Sequence, residues 1–174
     1  MDEEELRQAL QALHSTTFGW ALDCCDRNLE EAEDVVQGSY VKILNGSARF
    51  NGRSSLKTFL FGVIRRTAAE ERRRRLLRHL AFARWFERRP ERGVKDPESS
   101  ARESERSRRL IVALTRLPRR QREVLHLVFY QDCTVDEAAH VMEISAGSAR
   151  THFDRGKRRL RRLLGNLGND EGAR

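Results

Sequence analysis

The side chains with the clearest chemistry in this sequence lie close together near its carboxyl end. They carry hydroxyl, guanidinium, ammonium and carboxylate groups: Ser148, Arg150, Thr151, Asp154, Arg155, Lys157 and Arg158. Arg and Lys bind phosphate oxygens, and an Arg can also donate two hydrogen bonds to the edge of a guanine. The spacing therefore predicts a surface that binds nucleic acid.

These side chains lie in residues 134–164, a stretch whose pattern predicts two helices joined by a tight turn. Thr134 with Glu137 is a capping-box pattern, and Ser145 is a suitable cap for the second helix. Apolar side chains recur at helical spacing on the inward faces: Val135, Ala138, Ala139, Met142, Ala149, Phe153 and Leu160. A small helix, a turn and a second helix with a basic outer face form the layout of a helix-turn-helix, which places the second helix in the DNA major groove.

The first half of the chain pairs an acidic helix with a polar loop. Asn28 and Glu31 predict the start of a helix that ends near residue 44, and its outer face carries Glu33, Asp34 and Gln37. Its inner face is predicted to hold Leu29, Ala32, Val35, Val36, Tyr40, Ile43 and Leu44. Residues 45–55 then form a loop with two Asn-Gly pairs and one aromatic side chain, Phe50.

One helix is predicted on each side of this acidic helix and its loop. Residues 3–27 are predicted to be helical, with Leu6, Leu10, Leu13, Trp20, Ala21 and Cys24 inside. After the loop, Ser54 or Ser55 caps a helix predicted to reach about residue 89, with an apolar face formed by Leu56, Phe59, Leu60, Val63, Ile64 and Ala68. This helix becomes rich in Arg between Arg65 and Arg78. We therefore expect the loop and the Arg-rich face to share one surface.

The organisation that follows is all-α, with two small helical domains joined by a flexible linker. Residues 1–89 form the first domain, 90–104 the linker, 105–168 the second domain and 169–174 a tail. The linker follows from Pro90, Pro97 and a composition with too few apolar residues to build a core. Helices resume near residue 105, and an apolar stripe that includes Leu114 and Leu117 stops at Pro118.

Several classes of function are disfavoured by the composition and the motifs. The sequence lacks the phosphate-loop, dinucleotide-binding, zinc-protease and nucleophile-elbow motifs, and no His lies at metal-ligand spacing from a Cys. We therefore predict no catalytic residue, no metal and no cofactor, and we expect Cys24, Cys25 and Cys133 to be buried free thiols. No run is long and apolar enough to span a membrane, and the acidic N-terminus is unlike a signal peptide, so we expect a cytoplasmic protein. The net charge of +8 and the pI of about 10.2 indicate a polyanionic partner.

Taken together, the two halves resemble a bacterial RNA polymerase sigma factor of the extracytoplasmic-function (ECF) class, which keeps two globular domains, sigma-2 and sigma-4, joined by a linker. The resemblance covers about residues 5–82 and 105–164. It rests on AEDVVQGSYVKIL at 32–44, FNG at 50–52 and SSLKTFLFGVIRRTAAEERRR at 54–74 in the first half. In the second half it rests on LTRLPRRQREVLHLVF at 114–129, followed by the helix-turn-helix.

The resemblance implies a protein that directs core RNA polymerase to promoters, with double-stranded and melted promoter DNA as further partners and an anti-sigma factor as a candidate regulator. The helix at 32–44 would dock on the clamp coiled coil of the largest polymerase subunit through Glu33, Asp34, Val35, Gln37 and Tyr40. The loop and the start of the next helix would capture an unstacked base of the −10 element through Phe50, Asn51, Gly52, Arg53, Ser54, Ser55, Lys57 and Arg66. The Arg65–Arg75 run would follow the DNA phosphates, and the seven side chains between 148 and 158 would read the −35 element.

Three positions depart from the pattern of the family. Phe59 stands where a Trp is common, and we expect it to pack in the same way. Arg66 replaces a common Asn that faces DNA, so we expect the −10 preference to differ from that of the family. Asp154 lies among positions that approach DNA, where a carboxylate repels phosphate but can accept a hydrogen bond from cytosine N4.

Three other interpretations compete with a sigma factor. A helix-turn-helix regulator that acts without polymerase would leave the acidic helix and the loop unexplained. A basic RNA-binding or ribosome-associated protein would explain the Arg runs but not the paired caps or the Leu-Pro break. A helical protein with a purely structural or interaction role is the third. Binding tests with the chain, core polymerase and promoter DNA, alone and together, discriminate among them.

Overall fold

The computed structural model describes residues 3–83 and 105–169, in which eight helices and no strand are formed. The chain divides into two compact units, Met1–Pro97 and Glu98–Arg174. The all-α prediction is confirmed for the described residues. The predicted linker at 90–104, the predicted helical turns beyond residue 83 and the tail after residue 169 lie outside them.

The first unit contains four helices: α1 (Glu3–Ala12), α2 (His14–Cys24), α3 (Leu29–Leu44) and α4 (Leu56–Ala83). The prediction of one helix over 3–27 is wrong, because Leu13 separates α1 from α2. The hydroxyl of Thr17 donates to backbone oxygens one turn earlier, 3.0 Å from Leu13 O and 2.9 Å from His14 O. Such back-bonding by Thr bends a helix.

The core of the first unit is built around a tryptophan that is fully buried. The Trp20 ring lies 6.0 Å from the ring of Phe61, and its Nε1 donates a hydrogen bond of 3.0 Å to Phe61 O. This bond satisfies the indole N–H inside an apolar environment and ties α2 to α4. A second cluster of Leu10, Ile43, Leu60 and Val63 joins α1, α3 and α4.

The helix caps of the first unit agree in part with those predicted from the sequence. The Asn28 side chain accepts from the N–H of Glu31 at 3.1 Å, and Ser55 Oγ accepts from the N–H of Thr58 at 3.1 Å. Glu31 returns its contact to the Asn28 side chain rather than to the backbone, since Oε1 accepts from Asn28 Nδ2 at 3.1 Å. The inward assignment of Leu29 is wrong, because its side chain is exposed.

The second unit also contains four helices: α5 (Glu105–Thr115), α6 (Arg119–Phe129), α7 (Val135–Met142) and α8 (Ala146–Asn169). The apolar stripe of α5 stops where predicted, and Pro118 precedes the first residue of α6. The core combines side chains from all four helices: Ala113, Val124, Leu125, Leu127, Ala138, Ala139, Val141, Met142 and Ala149. Its function is to hold α7 and α8 as a pair.

Candidate nucleic-acid and polymerase interfaces

The outer face of α3 leaves three polar side chains free. Glu33, Asp34 and Gln37 are exposed, and none of them forms a hydrogen bond or ion pair among the described residues. Beside Asp34, a cleft of about 270 Å³ lies between α3 and α4. The exposed carboxylate of Glu30 lines the same cleft, one helical turn before Asp34. The α4 side of the cleft carries Arg72, Arg75 and Arg78, so the carboxylates open to a partner's cations are those of Glu33 and Asp34 on the exposed face of α3.

Two residues that the resemblance assigned to this face point inward. Val35 is 2% exposed and belongs to the core, so its assignment to a partner surface is corrected. Tyr40 is half-buried, and its hydroxyl lies 2.9 Å from Thr17 Oγ1 and donates to Leu10 O at 3.3 Å. Burial raises the pKa of Tyr40, while the hydrogen bond with Thr17 opposes the shift. The phenol serves mainly to tie α3 to α1 and α2.

Sequence reasoning missed two apolar side chains on the outer face of α3. Val41 is 58% exposed and Leu44 is 43% exposed, so the inward assignment of Leu44 is wrong. With Asp34 and Gln37 they lie at steps of three, four and three residues, the spacing of a helix that packs along another helix. That spacing was visible in the sequence, but Leu44 also matched the inward pattern.

The loop between α3 and α4 is folded tightly on itself. The N–H of Ser47 donates to Asn45 Oδ1 at 2.9 Å, and the N–H of Arg53 donates to Asn51 Oδ1 at 3.2 Å. Gly46 and Gly52 follow these Asn residues with φ of 75° and 73°, a region that favours glycine. The two Asn-Gly pairs thus form two similar turns.

The loop presents polar groups outward and one aromatic ring inward. Phe50 packs against Phe59, with ring centroids 5.4 Å apart. Asn51 is exposed, and because its Oδ1 accepts within the loop, its Nδ2 remains available to a base edge. Gly52, Arg53 and Ser55 are exposed and Ser54 is half-buried.

The Arg-rich part of α4 divides between internal and external roles. Arg72 Nη2 donates to Cys24 O at 2.6 Å, and Arg75 pairs with Glu31, whose hydrogen bond raises the pKa of the guanidinium. Arg73 is exposed and forms no hydrogen bond or ion pair among the described residues. The prediction that the whole run follows phosphates therefore does not hold for Arg72 and Arg75. Lys57 is half-buried and Arg66 is exposed on the earlier turns of the same helix.

The helix-turn-helix is set by the caps that the sequence predicts. The Thr134 side chain accepts from the N–H of Glu137 at 3.1 Å, and Glu137 Oε2 accepts from the N–H of Thr134 at 2.8 Å. Glu143 then takes a left-handed conformation with φ of 54°, which ends α7 and turns the chain. Ser145 Oγ accepts from the N–H of Ser148 at 3.2 Å and caps α8.

The first turns of α8 present a polar face. Ser148, Arg150, Thr151, Asp154 and Arg155 are all exposed. Ser148 Oγ accepts from Ser145 Oγ at 2.9 Å, so its own proton remains available, whereas Thr151 Oγ1 donates to Gly147 O at 2.9 Å. Donors and acceptors are thus both presented at the position where a helix-turn-helix meets base edges.

The cations on this face differ in how far they are engaged. Lys157 Nζ lies 3.3 Å from Asp154 Oδ1 and 4.3 Å from the centroid of the Phe153 ring. Arg158 Nε lies 3.4 Å from Asp154 O. Arg155 forms no hydrogen bond or ion pair among the described residues. Of these three cations, Arg155 is therefore the one best prepared to bind an external anion.

A buried glycine lies where α8 packs against α6. Gly156 is buried against α6, where an added Cβ would lie 3.2 Å from Leu125 Cδ1 and 3.3 Å from both Gln121 Cβ and Gln121 O. These distances are tighter than most packed Cβ contacts, so a larger residue here would require Leu125 or Gln121 to shift by a few tenths of an ångström.

The described residues also bear on the other classes of site. In residues 3–83 and 105–169, no group of three or more His, Cys, Asp or Glu side chains converges as a metal site would need. Cys24, Cys25 and Cys133 are buried free thiols, as predicted. Over the same residues, no helix combines the length and apolar composition that crossing a bilayer demands.

Comparison with known proteins identifies both units. The family model described as Sigma-70 region 2 matches residues 9–78, and the one described as Sigma-70, region 4 matches residues 107–160. The ECF RNA polymerase sigma factor SigX of Bacillus subtilis (strain 168) is 30% identical over 146 residues, 80% of this chain and 72% of SigX. The chain belongs to the ECF sigma factor family.

Another curated protein and two solved structures are also similar to this chain, and the solved structures share its fold. The RNA polymerase sigma factor YlaC of the same organism is 27% identical over 137 residues, 79% of each chain. Among solved structures, the sigma factor RpoE in complex with the anti-sigma factor NepR from Bartonella quintana has a TM-score of 0.75 at 23% identity, covering 93% of this chain and 98% of that chain. CnrH in complex with the cytosolic domain of CnrY has a TM-score of 0.60 at 20% identity, with coverage of 92% and 90%.

Membership of the family establishes the general role. ECF sigma factors bind core RNA polymerase and promoter DNA and act in promoter-directed transcription. They are DNA-binding initiation factors rather than enzymes. The prediction of a sigma factor with these two partners is confirmed.

Proposed function

We propose that the first unit captures unstacked −10 bases with its polar loop and that the second unit reads the −35 element with the first turns of α8. The observation that supports this division of roles is the exposure of particular polar side chains in each unit. Arg150 and Arg155 are exposed on α8, and Asn51 is exposed on a loop held by its own turns. A fixed loop with a free amide suits a single base, and an exposed helical face suits a groove.

For the polymerase, the proposal assigns the outer face of α3. Glu33, Asp34 and Gln37 are free to meet cations and polar groups, and the exposed Val41 and Leu44 extend the face with apolar contacts. A partner helix lying along α3 could contact both the polar and the apolar side chains of this face. Val35 is excluded because it is buried, and Tyr40 acts through the packing of α3.

An inhibitory protein is the further partner that we propose. Two solved structures with this fold contain a second protein, the anti-sigma factor NepR in one and the cytosolic domain of CnrY in the other. The exposed apolar side chains of α3 here provide a surface that such a protein could cover. A protein that covers this face would compete with core polymerase.

The deciding experiment measures binding of labelled promoter DNA by the chain alone, by core polymerase alone and by the two together. We expect weak binding by the chain alone and promoter-specific binding by the holoenzyme. Tight, specific binding without polymerase would instead support a helix-turn-helix regulator. RNA binding without promoter preference would support the RNA-binding interpretation.

A variant of α3 tests the polymerase face. Asp34→Arg should abolish holoenzyme formation, because it places a cation where the proposal requires a carboxylate. The free energy of unfolding should change by no more than about 0.5 kcal/mol, since Asp34 is exposed and unpaired. Glu4→Arg, on an exposed part of α1, is the charge-matched control. Unchanged holoenzyme assembly with Asp34→Arg would remove α3 from the interface.

A further inference from the structure

An ion pair joins the two helices of the helix-turn-helix on their outer side. Asp136 lies in the first turn of α7 and Arg150 in the second turn of α8, with Asp136 Oδ1 3.4 Å from Arg150 Nη2. The side chains are 65% and 66% exposed, respectively. The pair is therefore not needed to neutralise a buried charge, and its position on the DNA-facing side calls for another reason.

An unrestrained Arg at this position would have two competing targets. Its long side chain can reach a phosphate, which attracts a guanidinium from any DNA sequence, or a base edge, which selects one sequence. The guanidinium carries five N–H donors in one plane, so a carboxylate that holds Nη2 leaves the other donors available. The carboxylate also repels nearby phosphate. Because an exposed pair is weak, it can direct the side chain without preventing DNA binding.

We propose that Asp136 is a specificity-determining positioning residue, whose carboxylate directs Arg150 away from the DNA backbone and toward a base edge. Asp136 itself contacts no base in this arrangement. The inference rests on the proposed function of Arg150 as a reader of the −35 element. It adds a residue on α7 to a specificity that was assigned to α8 alone.

The test measures the affinity of holoenzyme for a promoter duplex and for a panel of single-base −35 variants. The proteins are the unaltered chain, Asp136→Asn, Arg150→Ala, the double variant and Asp136→Glu. Asp132→Asn is the control, because it removes the same charge from an exposed, left-handed position that Asn tolerates. Thermal unfolding of each variant checks that the second unit remains folded.

We expect Asp136→Asn to reduce discrimination at one base pair by about two- to fivefold, the range that an exposed pair can contribute. The same base pair should be the one at which Arg150→Ala loses discrimination. In the Arg150→Ala background, Asp136→Asn should have no further effect on discrimination. Asp136→Glu should retain more discrimination than Asp136→Asn does. Asp132→Asn should leave discrimination unchanged. An effect of Asp136→Asn that requires Arg150 would show that the two side chains act as a pair, because a change in net charge alone would act with or without Arg150.

Three results would overturn the inference, and they differ from one another. Equal gains in affinity for every sequence, with or without Arg150, would reduce Asp136 to a source of general repulsion. Sharper discrimination in Asp136→Asn would make the pair a restraint that opposes base reading. If Arg150→Ala leaves discrimination unchanged at every base pair, the proposed reading by Arg150 fails, and the role of Asp136 fails with it.

Discussion

The two units contain similar runs of Arg, but they use them differently. On α4, Arg72 and Arg75 reach across the fold to α2 and α3, to partners 48 and 44 residues away in the sequence. On α8, Arg155 is free, and the described contacts of Lys157 and Arg158 are to residues on the same helix. A run of basic residues in a sequence therefore does not show whether the charges bind a ligand or hold the protein together.

The difference extends to uncharged groups. In the first unit, Trp20, Tyr40 and Lys42 each form polar contacts with a helix distant in the sequence. In the second unit, Thr134, Ser145 and Thr151 form theirs within one turn of the chain. We infer that the first unit relies more on long-range polar ties between helices. The second relies more on caps and apolar packing, and it leaves Arg150, Arg155 and Arg158 of α8 exposed.

Substitution of Phe50 should give the largest effect, because its ring packs on Phe59 of α4 and also belongs to the loop proposed to bind a base. Phe50→Ala should lower formation of the open complex by a factor of about 5 to 150, equivalent to roughly 1–3 kcal/mol for a lost base contact or loop position. Initial binding of the holoenzyme to duplex promoter should change much less. The measurement is permanganate reactivity of the −10 region compared with gel-shift affinity.

A second variant separates stacking on DNA from packing in the protein. Phe50→Leu keeps an apolar contact with Phe59 but removes the aromatic face. If the ring stacks on a base, Phe50→Leu should be as defective as Phe50→Ala in opening the promoter. Restored opening in Phe50→Leu would show that the ring acts only by holding the loop against α4.

Adjacent arginines on α4 give the next largest effect. Arg72→Ala should lower the free energy of unfolding by about 2 kcal/mol, the contribution of a charge-assisted hydrogen bond, because it leaves Cys24 O without this donor. Arg73→Ala should change it by no more than about 0.5 kcal/mol and should instead weaken DNA binding. Chemical denaturation and DNA affinity are measured on both. Equal stability of the two variants would contradict a structural role for Arg72.

On α8, the expected effect is smaller and appears in binding rather than in stability. Arg155→Ala should reduce the slope of log affinity against log salt by about one unit, as expected for one lost phosphate contact. Lys157→Ala should reduce it less, because its ammonium group is already engaged by Asp154 and Phe153. A salt titration of each holoenzyme variant provides the measurement. The opposite order would mean that the ion pair of Lys157 opens on DNA at no cost.

Tyr40 gives the smallest expected effect, which is a dependence on pH. Burial raises the pKa of Tyr40 above 10.0, so the native state retains the phenol proton more strongly than the unfolded chain does. This contribution to stability is complete below pH 10 and is lost as the pH rises through the native pKa. Tyr40→Phe should therefore flatten the decline in stability above about pH 10.

Tyr130→Phe is the control for this effect, since Tyr130 is 55% exposed in the second unit. Urea unfolding at several alkaline pH values compares the two variants. If both change the pH dependence equally, the effect does not come from the buried phenol.

The sequence predicted those features that depend on nearby residues. The capping box at Thr134, the cap at Ser145 and the stop at Pro118 each depend on groups within one turn. The all-α class followed from apolar spacing, and the division into two units followed from Pro90, Pro97 and the apolar-poor composition around them. What the sequence did not show is which charges turn inward, because the partners of Arg72 and Arg75 belong to other helices.

The wrong predictions on α1 to α3 also concern features that nearby residues do not determine. Leu13 separates α1 from α2 at a position that apolar spacing does not mark, and Leu29 and Leu44 are exposed although their spacing matches the buried face. Val35 was assigned to a binding surface by resemblance, while its spacing already placed it in the core. For Val35, apolar spacing predicted burial correctly and the resemblance did not. For Leu44, apolar spacing predicted burial wrongly, because an apolar side chain exposed for a partner can occur at the same spacing as a buried one.

The close approach at Gly156 has a consequence for how promoter choice could change. Arg150 lies six residues before Gly156, about 9 Å along the helix axis, so a small tilt of α8 at its contact with α6 moves the guanidinium relative to the groove. Gly156→Ala would press on Leu125 and Gln121 of α6 without altering any side chain on the exposed face of α8. A library that varies only the buried contact between α6 and α8 could therefore yield sigma factors that transcribe different sets of genes with the same DNA-contacting residues.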